Sequence, residues 1–186
     1  MTKNVEYILQ KNKEAWITTQ FVFENTAGQW SELGSTIEEL WYFYRNYLKD
    51  LPIKFCIDTA HCRWWGIDLR DSKQFFEQFE QYIWLDQIFC FHLNDARVEC
   101  GSKLDRHASL GRGAIGWPTL LPYIERAYVN NKICYIETPD DTLWADEITK
   151  VRQIVDGQIE RIDNFHHQHF RSQLLKKFQN NTSLFG

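Results

Sequence analysis

The chain has 186 residues, enough for one hydrophobic core and too few for two comfortable domains. Its 21 Lys and Arg against 25 Asp and Glu give a formal net charge of −4, so no bulk basic charge advertises nucleic acid. A nucleic-acid enzyme is not excluded, because bound dications reverse the local sign. In chain order, residues 1–15 read as a helix leading into a first strand, FVFE, that ends in Glu24. From Ser35 to Leu48, STIEELWYFYRNYL has apolar spacing of helical period, with Ser35 at the N-cap position and Glu38 three residues on. A second strand, KFCID, ends in Asp58. Asp71 then opens a helix, DSKQFFEQFEQYI, whose Phe75, Phe76, Phe79 and Ile83 share one face. The third strand, IFCFH, ends in His92, and a long polar connection from Asn94 to Trp117 carries Gly101, Gly111, Gly113 and Gly116. A helix from Pro118 to about Val129 leads to the fourth strand, ICYIE, which ends in Glu137. From Trp144 onward the chain reads as helix with a polar tail bearing His166, His167 and His169.

Strand and helix alternate at βαβ spacing, so the fold class is α/β with a parallel sheet. A closed (β/α)8 barrel typically takes about 250 residues. Only four strands are predicted here, which implies a half-barrel over 1–148 and a helical, polar extension over 149–186. The open edges and unfilled inner face of such a sheet would make the chain marginal or dependent on a partner. The five cysteines are odd in number and form no C-x-x-C pair, which argues against a disulfide framework or a zinc ribbon. Cys56 and Cys90 read as small buried hydrophobes, and Cys62 lies beside His61 in a predicted loop. No stretch approaches the roughly 18 apolar residues of a membrane span. No leader pattern is present either, and a reducing cytoplasm is expected.

All four strands end in a metal-capable side chain: Glu24, Asp58, His92 and Glu137. Side-by-side parallel strands bring such ends together on their carboxyl-terminal face, where these folds keep their sites. Three more candidate ligands follow in the connections, His61 three residues after Asp58 and the pair Asp105 and His107. Seven donors are too many for one ion, so at least two metals are implied. Mixed imidazole and carboxylate donors suit zinc, with manganese or iron as competitors. A carboxylate and a water shared by two ions is a usual layout for cleaving phosphate esters. Lys103 and Arg106 are candidate phosphate contacts, with solvated loop charge the alternative. Gln29 and Asn94 are candidates for positioning site groups, with turn chemistry the alternative.

ENTAGQ at 24–29, CIDTAH at 56–61, HLNDA at 92–96, GSKLDRHASLGRGAIG at 101–116 and ETP at 137–139 resemble the endonuclease IV family of apurinic/apyrimidinic (AP) endonucleases. The resemblance runs from about Met1 to Ile148 in order and spacing. It implies a TIM barrel that binds up to three zinc ions and cuts DNA on the 5′ side of an abasic site. Glu24 resembles the carboxylate that bridges two zincs, and Asp58, His92 and Glu137 resemble the other ligands of the second. His61, Asp105 and His107 resemble the set for the third. Glu24 and Glu137 are then the expected catalytic carboxylates, and Lys103 and Arg106 the expected DNA contacts. The family's first four strands and two zinc-binding histidines have no counterpart in the sequence. The resemblance therefore implies either a separately encoded N-terminal half, self-association, or a truncated remnant that binds metal or DNA without turnover. DTAH stands where the family has DTCH, and Arg112 where an acid is common.

Overall fold

The computed structural model describes residues 2–29 and 32–157. Four parallel strands, β1 (Phe21–Glu24), β2 (Ile53–Asp58), β3 (Ile88–His92) and β6 (Ile133–Tyr135), form one sheet in the order β1-β2-β3-β6. Each neighbour pair is parallel, so all four carboxyl ends lie on one side. The connections carry α2 (Ile37–Phe43), then α3 (Thr59–Trp65) and α4 (Ser72–Tyr82), then α5 (Trp117–Val129). Before β1 runs α1 (Thr2–Glu14), and a helix over 144–157, α6, follows β6. Two short strands, β4 (Asp95–Ala96) and β5 (His107–Ala108), pair antiparallel within the long connection after β3.

The helical layer is built from aromatic side chains. Phe75, Phe76 and Phe79 of α4 and Ile83 at its C-cap are all buried, as their spacing predicts. Phe76 meets Phe91 of β3 edge-on at 6.4 Å and Tyr123 of α5 at 5.2 Å. The Tyr123 hydroxyl, buried in the same layer, donates to the Leu69 carbonyl. Val151, Ile154 and Val155 of α6 pack against this core as well. No described helix is long and apolar enough to cross a membrane.

Local structure departs from the sequence reading in four places. The N-cap of α2 is Thr36, not Ser35: its side chain accepts from Glu39 N, and Glu39 rather than Glu38 reaches back to the amides of Gly34 and Ser35. That helix closes in a π-helical turn over Tyr44–Leu48 instead of running on as α-helix. The predicted loop after Asp58 is α3, with the Asp58 carboxylate capping His61 N and Gly66 closing the helix at φ 105°. Finally, β6 stops two residues short of Glu137, because the Glu137 amide donates to the Asn94 side chain rather than to a strand.

Candidate metal centre

Register brings the strand ends together. Asp58 lies level with His92 across β2 and β3, while Glu24 lies level with Cys56, one inward-facing position lower. The two rows differ in depth by one step of the pleat, and the long Glu24 side chain spans it. His92 Nδ1 stands 3.1 Å from Glu24 Oε1, 3.2 Å from Glu137 Oε2 and 3.9 Å from Asp58 Oδ2. Donor atoms of Glu24, Asp58, His92 and Glu137 all lie within 4.8 Å of one another.

A second set adjoins the first. Donor atoms of Asp58, His61 and His107 also lie within 4.8 Å of one another. Asp105 is set slightly back, with its oxygens 3.9 Å from His61 Nε2 and from His107 Nε2. Asp58 belongs to both sets. His107 arrives on β5, held by the β4 pairing of Ala96 with His107 and stacked on the buried Trp64 ring at 5.1 Å. His61 arrives on the first turn of α3, with its ring 5.7 Å from that of His107.

The donors are held by buried amides. His61 Nδ1 donates to the Asn25 carbonyl at 2.6 Å, which leaves Nε2 as the free lone pair. The Asn25 side chain spans two elements, accepting from Asp58 N at 2.7 Å and donating to the Asp58 carbonyl. Asn94 donates to Asp58 Oδ2 at 2.6 Å and accepts from Glu137 N at 2.8 Å, tying the ends of β2 and β6 together. Of the two candidate positioning residues, Asn94 holds the site, whereas Gln29 pairs with Glu32 in a turn.

Sequence reading missed Asp95. Its fully buried carboxylate accepts five backbone N–H groups, from Ala96 and Ile115 on Oδ1 and from Gly111, Gly113 and Gly116 on Oδ2. It is the hub that folds the glycine loop beneath β4 and β5. The glycines were visible in the sequence, but a buried acid among them carries no periodic signal. Asn25 and Trp64 were equally silent.

Electrostatics favour a cation here. Burial pushes the Glu24 carboxyl up, but the His92 hydrogen bond and the charges of His92, His61 and His107 outweigh it and hold it below the usual carboxylate range. Burial lowers the His92 imidazole, yet the Glu24 hydrogen bond and the charges of Glu24, Glu137 and Asp58 raise it to about 9. A proton thus sits where three carboxylates want positive charge. His107 Nε2 is buried without any hydrogen-bond partner, which is costly for a ring nitrogen unless something binds it. Two donors each about 2.0–2.2 Å from one zinc stand no more than about 4.4 Å apart. The separations of 3.7 Å from His107 Nε2 to Asp58 and 3.9 Å to Asp105 meet that test. The donor set therefore fits metal binding.

Exposure grades outward from this cluster. The Asp58 side chain is 0% exposed, while Glu137 and Asp105 are 50% and 49% exposed, so the open side lies towards those two. Lys103 and Arg106 are exposed on the segment that carries Asp105. Lys103 Nζ sits 4.0 Å over the Trp65 ring, and Arg106 donates to the Asp105 carbonyl. Cys62 lies in α3 rather than in a loop; it is buried, takes a hydrogen bond from Asn25, and belongs to neither donor set. Burial and the nearby Asp58 charge push its thiol up. His166, His167 and His169 lie outside the described residues.

A family model described as a xylose isomerase-like TIM barrel matches residues 1–158. The probable endonuclease 4 of Campylobacter fetus is 32% identical over 160 residues, 84% of this chain and 55% of that protein. Its counterpart in Protochlamydia amoebophila is 35% identical over 138 residues, 72% of this chain and 49% of that protein. The chain thus spans about half the length of the curated relatives it matches. The crystal structure of endonuclease IV from Thermus thermophilus superposes with a TM-score of 0.62 at 25% identity, covering 87% of this chain and 58% of that one.

Proposed function

The chain belongs to the xylose isomerase-like TIM barrel family, within its endonuclease IV branch, and from that premise we propose that it carries the metal centre of a zinc-dependent AP endonuclease. The convergence of seven imidazole and carboxylate donors, with Asp58 common to two sets, carries this reading. Glu24, Asp58, His92 and Glu137 would hold one cation, and Asp58, His61, Asp105 and His107 a second. Cations held there supply Lewis-acid polarisation of a phosphodiester and a nucleophile drawn from water.

The chain's own groups do the rest. Asn94 and Asn25 fix Asp58 at full burial, so its carboxylate enters the site without reorganisation. Asn25 keeps the proton of His61 on Nδ1. Glu137, on the more open side, and the half-buried Glu24 are the carboxylates that face the scissile phosphate. Lys103 and Arg106 border the same opening, where they grip flanking phosphates of a DNA strand with an abasic site. Zinc is preferred over manganese because three of the seven donors are imidazoles.

The deciding experiment measures metal content of the purified chain and its incision of a duplex with one abasic site, with and without EDTA. Bound zinc with EDTA-sensitive incision 5′ to the site is the expected result. Bound zinc without incision would leave a centre that binds but does not turn over. A chain that retains no metal would overturn both readings.

A further inference from the structure

One step below the row of Asp58 and His92 lies a second, chemically different donor set. Cys56 and Cys90 face each other in register across β2 and β3, and Cys56 is level with Glu24 across β1. Both thiols are buried, at 3% and 5% exposure. Donor atoms of Cys56, Cys90 and His92 lie within 4.8 Å of one another.

From the sequence alone these cysteines read as small buried hydrophobes, and their burial agrees. Register adds what burial alone does not specify: two thiols stand side by side with an imidazole at the next inward position. Two thiolates and an imidazole are a soft donor set, suited to thiophilic d10 cations rather than to the hard ions that carboxylates take. We propose that Cys56, Cys90 and His92 form a thiophilic cation site beneath the row of Asp58 and His92, for soft ions such as cadmium or copper(I). When the ion enters, the two thiol protons pass to solvent as two metal–sulfur bonds form. His92 is common to both sets, so an ion on the thiol row draws its imidazole away from Glu24, Asp58 and Glu137. A soft ion is therefore an antagonist of the cluster above. The site stands whether or not that cluster cleaves DNA.

The test is a cadmium titration of the protein kept reduced with a thiol-free reductant, read by thiolate-to-metal charge-transfer absorption and by 113Cd NMR. The expected result is a charge-transfer band and a cadmium shift reporting two sulfur ligands. Both persist in Cys100→Ala and Cys134→Ala and are lost in Cys56→Ala and Cys90→Ala, whose far-UV circular dichroism shows them folded. Should either alanine variant fail to fold, the 113Cd shift of the unaltered protein still decides: oxygen and nitrogen ligands alone would overturn the site. A band that survives loss of both Cys56 and Cys90 would overturn it equally.

Discussion

At the scale of single residues, the candidate metal centre depends on who holds the donors. Asn94 contacts three site groups at once: the Asp58 carboxylate, the Glu137 amide and, through its backbone, the Thr59 hydroxyl. Asn94→Ala frees Asp58 to reorient, and its expected cost is about 10–100-fold in metal affinity, measured by calorimetric titration. Loss of the buried hydrogen bonds should also lower unfolding free energy by about 1–3 kcal/mol, read from a denaturant melt. The raised His92 pKa gives a signed prediction. At pH 7.5, below about 9, the metal-free imidazole is protonated, and it must be neutral to bind a metal. Zinc uptake at that pH should release about one proton from His92, and the release should vanish as pH rises through about 9. Calorimetry in buffers of different ionisation enthalpy measures it, and a buffer-independent heat at pH 7.5 would contradict it. The candidate donors are legible in the sequence because each ends a predicted strand or sits in a recognisable motif. Their supports, Asn25, Asp95 and Trp64, are not, since a buried amide or acid looks like any loop residue until its partners are known.

At the scale of elements, the loop that delivers His107 is set by one carboxylate and one glycine. A Cβ at Gly113 would lie 2.4 Å from Asp95 Oδ1 and 2.5 Å from the Ala96 carbonyl. Gly113→Ala must therefore push Asp95 off its five amides, with an expected cost of about 1–3 kcal/mol, a lower melting midpoint and weakened metal binding. Gly101→Ala is the matched control. Its Cβ meets nothing within 4 Å, so only the strain of φ +78° remains, at roughly 1–2 kcal/mol, with metal affinity unchanged. Equal effects of the two substitutions on metal affinity would refute the hub role of Asp95. The secondary structure was read well where periodicity is strong, as in α4 and β3, and poorly where capping decides. The first turn of α3 begins on Asp58 itself, whose side chain caps the helix while serving the site. In the sequence, the signal for this helix is Gly66, which sits at the left-handed C-cap.

At the scale of the whole molecule, four carboxylates and three imidazoles gather on one side of a sheet in a chain of net charge −4. Without a cation those carboxylates repel one another inside a partly buried cluster. Removal of metal by EDTA should therefore lower the melting midpoint, and zinc at about 100 times its Kd should restore about 2.7 kcal/mol. A midpoint indifferent to both would argue against resident metal. By itself the sequence determined the parallel α/β class and the family and singled out seven candidate donors, because strand-end position and motif spacing are local properties written along the chain. Only the tertiary structure decided that Asp58 joins two donor sets, that Asn94 and Asn25 clamp it, and that Cys56 and Cys90 meet one row beneath. Those facts depend on register between strands some 30 residues apart, and register is fixed by how the sheet packs on its helices rather than by any one segment.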